Sequence, residues 1–392
     1  MKLLFCPLAS HGFVYPLIGI AKYMRSRGHE AVFVTGPAFS EALLAEGFDR
    51  VPRGAKDGPS FEVKTWFKPV SVAIQAKHIE YALERFLADA LVTTQLSLGP
   101  LIISETRRIP VAVLGLATYV WPLWPLNHKP QSEKEERLQW RYGDMMGYYN
   151  KARSALGLSA IDRDHLMNPL LGDLFMVQSV PELEQNEYEL PSKAHFVGSC
   201  AWEPESSDPD LSAWLDQCGA DGEPLIYAQP GRSFDLPSYW PCLRDALRDK
   251  PLRLAAAIDR MDGEAGDVPG NFFVRGHVPQ GKVLPRAAAV IGTGHTTSVL
   301  GALTHGLPSI LLPSGSASDD IAEKCERAGA ALCFEDAPMD VGFFEDAVNE
   351  LLANRNLRRR AEFLRDAFAK AGGCSRAAAL IEQMRGRARP AP

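Results

Sequence analysis

Buried-type strands alternate with amphipathic helices along almost the whole chain, and this alternation limits most strongly what the protein can fold into. Near the N-terminus, the apolar run Lys2 to Pro7 precedes a helical pattern from Pro16 to Gly28, which leads into a second apolar run, Ala31 to Thr35. Strand, helix and strand in this order predict a βαβ unit, and repeated units build a parallel sheet covered by helices on both faces. We therefore predict an α/β protein.

The alternation continues from Ala90 to Leu116 and resumes in the second half of the chain. The second-half segments are Leu225 to Gln229, Tyr239 to Arg248, Leu252 to Ile258, Phe272 to Val274, Ala288 to Ile291, a helix from Thr297, Ser309 to Leu312, Ile321 to Ala328, Val341 to Ala353 and Leu357 to Ala371. Between the halves lies Trp202 to Asp210, which is rich in proline, serine and acids and has the composition of a linker.

At roughly 150 residues per domain, a chain of this length divides into two large domains. We expect an N-terminal Rossmann-like domain at 1–200, a linker at 201–210 and a C-terminal Rossmann-like domain at 211–375. A final helix and tail at 376–392 should pack back on the N-terminal domain.

Charge and cysteine content exclude several classes of function. The chain carries 42 basic and 48 acidic side chains, so it lacks the basic surplus of a nucleic-acid-binding protein. Its seven cysteines are odd in number and scattered, which predicts free thiols in the cytoplasm rather than a disulfide framework or a metal knuckle. No apolar run approaches the length of a membrane span.

The first candidate functional loop follows the first strand, at Ser10 to Pro16. In an open α/β sheet, ligands bind at the carboxyl ends of the strands, so His11 is placed as a candidate base. A loop histidine that only bonds to the backbone is an equally good reading of its position.

Two further loops occupy the same kind of place in the second half. Gly292 to Ser298 combines glycines with a helix start, a combination that suits an anion, although a helix N-terminus without a ligand would look the same. Gln229 to Ser233 can direct Arg232 toward the same ligand, or Arg232 can form a surface salt bridge instead.

An aromatic segment from Thr118 to Tyr149 interrupts the alternation with three prolines and a charged stretch. We interpret it as an inserted loop and helix. Its rings can belong to the core or form the wall of an apolar ligand pocket.

Three longer segments carry a resemblance to a known family. They are PLIGIAKYMRSRGHEAVFVTGP, FFVRGHVPQGKVLPRAAAVIG, and SVLGALTHGLPSILLP followed by IAEKCERAGAAL. Over nearly its whole length the chain resembles the family-1 nucleotide-sugar glycosyltransferases of GT-B fold, particularly the bacterial natural-product enzymes. The resemblance implies two Rossmann-like domains facing each other across a cleft, the first binding an acceptor and the second a sugar donor.

The family's donor-binding side chains are replaced in this chain. Gapless alignment backwards from Pro308 places the family's diphosphate-binding histidine on Thr293 and its ribose-binding glutamate on Gly301. The tryptophan that stacks on the nucleotide base in the family is His277 here.

The sugar-reading and acceptor-side residues differ as well. The family's Asp-Gln pair falls on Ala317 and Ser318, and acids follow only at the next two positions, Asp319 and Asp320. The family's basic histidine falls on Phe13, and its partner aspartate falls near Thr94. His11 is then the histidine left in that loop.

From the loops and the resemblance together we predict a remodelled site. The predicted residues are His11 and a protonated His295 as the catalytic pair, Arg232, Ser233, His277, Gly294, Thr296, Thr297 and Ser298 for the donor phosphates, and Phe13, Thr94, Tyr119, Trp121, Trp124, Tyr142 and Met145 for the acceptor. The two histidines are expected to face each other across the cleft.

The leading hypothesis is inverting transfer of a sugar from a nucleotide-sugar co-substrate to an apolar acceptor, aromatic or polyketide-like, with no metal or further cofactor. One alternative is a diverged GT-B enzyme that catalyses a non-glycosyl reaction in natural-product biosynthesis, with the two histidines as acid and base. Another is a non-catalytic relative that supports a partner transferase. A homodimer or a complex with a partner enzyme is compatible with each hypothesis.

Overall fold

The polypeptide divides into two compact units, and the first is built from both ends of the chain. The computed structural model describes residues 1–120, 129–162, 168–185, 190–206, 208–218, 222–230, 239–258, 265–313, 316–335, 338 and 340–385. Unit 1 comprises Met1–Trp202 and Ala371–Pro392, and unit 2 comprises Glu203–Lys370. The boundary after Trp202 lies inside the expected linker, whereas the return to unit 1 begins at Ala371 rather than at residue 376.

Unit 1 is a parallel sheet with helices on both faces. In chain order its elements are β1 (Lys2–Cys6), α1 (His11–Ser26), β2 (Glu30–Phe33), α2 (Ser40–Ala45), β3 (Asp49–Arg50), α3 (Pro69–Leu83), β4 (Ala90–Thr94), α4 (Leu98–Arg107), β5 (Val111–Gly115), α5 (Glu133–Ala155), β6 (Leu174–Val177), α6 (Pro181–Glu184) and β7 (Ala194–Phe196). The parallel strands lie in the order β3-β2-β1-β4-β5-β6-β7. This is the Rossmann order with one strand added.

Alternation of side chains along β1 explains why both faces of this sheet are covered. Leu4 and Cys6 point into a core formed with α3, α4 and α5, whereas Leu3 and Phe5 point into a core formed with α1 and α2. These four side chains are fully buried. A strand buried on both faces is an unbroken apolar run in the sequence, as Leu3 to Cys6 of β1 are.

Unit 2 repeats the architecture with six strands. Its elements are α7 (Pro209–Gln217), β8 (Leu225–Gln229), α8 (Trp240–Leu247), β9 (Arg253–Ala257), β10 (Phe272–Arg275), α9 (Gln280–Val283), β11 (Ala289–Gly292), α10 (Thr296–His305), β12 (Ser309–Leu311), α11 (Ser316–Arg327), β13 (Ala331–Cys333), α12 (Val341–Ala353) and α13 (Arg355–Ala371). The parallel strands lie in the order β10-β9-β8-β11-β12-β13. The predicted fold class, two Rossmann-like α/β domains, is confirmed.

Part of the expected linker is helical. Helix α7 begins at Pro209 because the Asp208 carboxylate caps it, accepting a hydrogen bond of 3.0 Å from the Leu211 amide. Leu211 and Leu215 then anchor α7 on the core of unit 2. An Asp-Pro pair ahead of an apolar pattern is the helix-start signal that a composition-based linker assignment overlooks.

A last helix, α14 (Gly373–Glu382), returns the chain to unit 1 and packs on α1. The Gly373 amide donates to the Val197 carbonyl at 2.7 Å, and a Cβ at this glycine would lie 2.6 Å from the Ser199 carbonyl oxygen. At its other end, Glu382 accepts hydrogen bonds of 2.8 Å from both Arg27 and His29. The helix is therefore fixed to unit 1 at both ends.

Candidate functional site

The strand order creates one topological switch point in each sheet. In unit 1, β1 and β4 are neighbours whose following helices leave in opposite directions, and β8 and β11 have the same relation in unit 2. Ligands of open α/β sheets bind outside the carboxyl ends of the strands at such a point. The segments after β1, β4, β8 and β11 are therefore the first places to look for a site.

His11 lies at the switch point of unit 1 but not in a loop. It is the first residue of α1, because Ser10 adopts an extended N-cap conformation and its carbonyl accepts from the amides of Phe13 and Val14. The sequence pattern placed this helix start at Pro16, which lies inside α1 instead. His11 remains exposed at the carboxyl edge of the sheet, where an imidazole can act as a base.

Aromatic rings orient the His11 imidazole. Its ring centroid lies 4.9 Å from Tyr15 and 5.4 Å from Phe39, the latter at an edge-to-face angle of 76°. Phe39 is itself buried, and Tyr15 packs edge-on against Trp202. Phe39 was not predicted, because nothing in its local sequence indicates that it meets a residue of α1.

Three predicted acceptor residues meet around one cavity in unit 1. Thr94, Tyr119 and Met145 line it, at the carboxyl end of β4. The cavity has a volume of about 10 Å³, and the residues that complete its wall are Gln95, Leu96, Leu98, Leu101, Leu170 and Phe175.

The remaining predicted acceptor residues are placed differently. Tyr142 is 3% exposed and belongs to the core that α5 forms with the sheet, so the ordinary core interpretation holds for it. Phe13 is half-buried and packs on the same core. Trp121 and Trp124 lie outside the described residues.

In unit 2, a glycine bend connects β11 to α10. Gly294 has φ +75°, and a Cβ there would lie 3.0 Å from the Ser318 carbonyl oxygen, so both its conformation and its surroundings require glycine. The bend turns the chain directly into the first turn of α10. Arg232 and Ser233, predicted after β8, lie outside the described residues.

Three hydrogen-bond donors near the start of α10 have no partner among the described residues. The amides of Thr296 and Thr297 lie in the first turn, where no helical carbonyl is available to them. Thr293 is 4% exposed, and its hydroxyl makes no hydrogen bond with any described residue. Amides and a hydroxyl at a helix N-terminus form an anion-binding arrangement.

The side chains of Ser298 and His295 depart from the predicted roles. The Ser298 hydroxyl is buried and donates to the His295 carbonyl at 3.1 Å, so it braces the bend rather than pointing to a ligand. Burial of the imidazole lowers the pKa of His295 below 6.5. Neutral imidazole is then the favoured form at pH 7, which corrects the expected imidazolium ion for the unliganded protein.

A second cluster of unit 2 lies around His277, whose exposed imidazole is 3.8 Å from the Glu203 carboxylate. Glu203 accepts hydrogen bonds from the amides of Gln280 at 3.1 Å and Gly281 at 2.8 Å and so caps α9. At Gly301, where the resemblance places a glutamate, a Cβ would lie 2.6 Å from the Gln280 Oε1. The Gln280 side chain therefore fills the space beside this glycine.

Of the two acids near the predicted sugar-reading position, Asp320 accepts a hydrogen bond of 2.7 Å from Lys324. Both side chains are largely buried, so the pair supports α11 internally. Asp319 and Ser318 also make interactions within the protein. A sugar contact from Asp320 would have to compete with its lysine.

The described residues contain no metal site, disulfide or membrane-spanning helix. Within those ranges, no group of three or more His, Cys, Asp or Glu side chains is arranged to hold a metal ion. All seven cysteines are free thiols. None of the described helices is both long enough and apolar enough to span a membrane.

Comparison with known proteins finds sequence relatives that span both units. Residues 253–381 match the family described as erythromycin biosynthesis protein CIII-like, C-terminal domain. The 4'-demethylrebeccamycin synthase of Lentzea aerocolonigenes is 26% identical over 410 aligned positions, which cover 95% of this chain and 96% of that protein.

Solved structures share the fold over the full length. A calicheamicin glycosyltransferase superposes with a TM-score of 0.74 at 21% identity, covering 99% of each chain. The spinosyn rhamnosyltransferase complexed with thymidine diphosphate superposes with a TM-score of 0.70 at 18% identity, covering 98% of this chain and 100% of the other. Sequence and fold together confirm the predicted resemblance to the family-1 glycosyltransferases of GT-B fold.

Proposed function

We propose that the protein transfers a sugar, with inversion, from a nucleoside diphosphate sugar to an apolar natural-product acceptor. The observation that carries the proposal is the bend between β11 and α10, where two helix-start amides and the buried Thr293 hydroxyl have no partner among the described residues. Thymidine diphosphate in a structural relative and the natural-product enzymes among the matches support this choice of donor and acceptor.

In the donor half, the amides of Thr296 and Thr297 and the hydroxyl of Thr293 would bind the diphosphate. Negative charge develops on this group as its bond to the sugar breaks, and donors already fixed in place stabilise that charge without reorganisation. This arrangement replaces the family's histidine by a neutral hydroxyl. An anion bound there would also favour protonation of His295, which is neutral without it.

In the acceptor half, His11 would act as the general base. It accepts the proton of the acceptor hydroxyl while the oxygen attacks the anomeric carbon and the diphosphate leaves. One displacement of this kind inverts the configuration at that carbon. The contacts of His11 with Tyr15 and Phe39 would restrict the orientation of its ring.

The reaction needs the nucleotide sugar as co-substrate, and we propose no cofactor beyond it. We also propose a cytoplasmic location, since free thiols are typical of a reducing compartment.

The donor assignment is tested by thermal unfolding with dTDP, UDP and GDP. Wild-type protein should melt at a higher temperature with at least one of them, since a ligand that binds only the folded state stabilises it. Thr293→Val should weaken nucleotide binding about tenfold, the usual effect of losing one hydrogen bond to a charged group. The melting temperature without ligand should not fall, because the variant removes a buried hydroxyl that has no described partner.

Thr304→Val is the matched control. Thr304 lies in the same helix, but its hydroxyl donates to the Leu300 carbonyl at 2.8 Å, away from the bend. This variant should bind the nucleotide like wild type. An unchanged melting temperature with all three nucleotides at millimolar concentration would contradict the donor assignment.

A further inference from the structure

The Thr94 hydroxyl is buried and unpaired at the end of β4. Thr94 is 2% exposed, and its Oγ1 makes no hydrogen bond with any residue in the described part of the chain. Leaving a buried hydroxyl unpaired destabilises a fold, and such groups in native proteins call for an explanation. Its position beside the switch point of unit 1 offers one.

Neighbouring polar side chains do not compensate for Thr94, because they are engaged elsewhere. The hydroxyls of Thr93 and Ser97 both donate to the Cys6 carbonyl, at 2.7 and 3.2 Å, and so tie β4 to β1. The Gln95 side chain accepts from the Leu116 amide and ties β4 to β5. The fold fixes the strand ends around Thr94, and no described side chain pairs with its hydroxyl.

The cavity beside Thr94 is small and mostly apolar. At about 10 Å³ it has room for one group of the size of a water molecule or a hydroxyl. Most of its wall consists of leucine, methionine and phenylalanine side chains. Three lining residues, Gln95, Leu96 and Tyr119, are only half-buried. They form the part of the wall that is nearest to solvent.

Backbone conformation holds this cavity in place. Leu96 has φ +68°, a left-handed conformation that side chains other than glycine rarely adopt. Residues held in such conformations are concentrated at ligand sites, where the surrounding structure enforces them. Leu96 lets the chain turn from β4 into α4 within a few residues, so Thr94 and Leu96 line the same cavity.

We propose that Thr94 recognises one hydrogen-bonding group, a hydroxyl in size, on an otherwise apolar acceptor. The hydroxyl group of the acceptor enters the cavity and bonds to Thr94 Oγ1, while the carbon skeleton stays outside the cavity, on the side of the half-buried Leu96 and Tyr119. This specificity rests on the proposed function, since it concerns the acceptor half of that site. An acceptor lacking the group leaves Thr94 unpaired and is rejected.

The test uses two probes that share a bicyclic ring, 2-naphthol and 2-methylnaphthalene, titrated calorimetrically into the full chain. Wild type should bind 2-naphthol about tenfold more tightly, the discrimination expected from one recovered hydrogen bond in a desolvated site. Thr94→Val, which keeps the shape and removes the hydroxyl, should bind the two probes with equal affinity. Thr94→Ser, which restores the hydroxyl, should recover the preference.

Melting temperatures separate folding from recognition. Thr94→Val should melt at or above the wild-type temperature, because it removes an unpaired buried hydroxyl. Equal affinities in the wild type, the result expected if a water molecule satisfies Thr94, would overturn the proposal. A preference that persists in Thr94→Val would overturn it too, because another group would then recognise the hydroxyl. If dTDP, UDP and GDP all fail to stabilise the wild type while the naphthol preference holds, the donor assignment fails and the acceptor cavity stands.

Discussion

Thr94 and Thr293 occupy equivalent places in the two sheets. Cys6, the last residue of β1, pairs with Thr93, and Gln229, the last residue of β8, pairs with Gly292. In both units the next residue is a buried threonine whose hydroxyl has no hydrogen-bond partner among the described residues. Each unit therefore presents one uncharged hydrogen-bonding group where the resemblance places an ionisable side chain, a histidine in one case and an aspartate in the other.

A buried histidine makes stability depend on pH. His78 is fully buried, bonds to the Ser60 hydroxyl at 2.8 Å and to the Val51 carbonyl at 2.9 Å, and has a pKa lowered by desolvation. The unfolded chain then binds more protons than the folded protein, so the free energy of unfolding is highest above pH 6.5 and decreases as the pH falls toward the folded-state pKa.

Urea unfolding at pH 7.5 and 5.5 measures this dependence. His78→Gln should show a smaller loss of stability between the two values than the wild type. His277→Gln, at an exposed histidine, should keep the wild-type loss. Equal losses in His78→Gln and the wild type would show that other groups dominate the pH response.

At the scale of elements, two helical glycines should respond oppositely to the same substitution. A Cβ at Gly99 in α4 would lie 2.5 Å from the Gln75 Cβ of α3, whereas a Cβ at Gly147 in α5 would meet nothing within 4 Å. Gly99→Ala should cost about 1–3 kcal/mol of unfolding free energy, since the two helices must separate. Gly147→Ala should add about 0.5–1 kcal/mol through helix propensity.

Denaturant unfolding of the wild type and the two variants measures these changes: the midpoint should fall for Gly99→Ala and rise for Gly147→Ala. Gly99→Ala with wild-type stability would mean that α3 and α4 adjust their spacing freely. That result would also weaken the view that the strand end beside α4 is rigid.

The C-terminal helix should loosen when its carboxylate is neutralised. His29 and Arg27, through their hydrogen bonds, lower the pKa of Glu382, so the contact stabilises the fold above the carboxyl's ordinary pKa of 4.5 and is lost in acid. Glu382→Gln should cost at most about 1 kcal/mol, because the pair is partly exposed. Hydrogen exchange of the α14 amides should accelerate at pH 7.

Glu30→Gln serves as the control, because the Lys2–Glu30 pair is more exposed and lies far from α14 in sequence. It should leave exchange in α14 unchanged. If amide exchange in α14 accelerated equally in both variants, the cause would be a general loss of stability and not the loss of the contact that holds α14 on unit 1.

For the molecule as a whole, pattern and periodicity predicted the architecture better than the site. Strand β8 and helix α12 occupy the predicted residues, since apolar runs and amphipathic repeats are local signals. The position of His11 inside α1 was not predictable, because Ser10 starts the helix through its backbone conformation. Nor did the sequence show the contact of Gln280 with Gly301, which depends on packing between segments far apart in the chain.

Unit 1 needs the last helix of the chain to cover the apolar side of α1. Side chains of α14 such as Ala377 and Ile381 are buried against that side. During synthesis on the ribosome, α1 emerges early, whereas its covering is translated only after the whole of unit 2. The apolar surface of α1 therefore stays uncovered for most of translation. During that time a chaperone can bind to it.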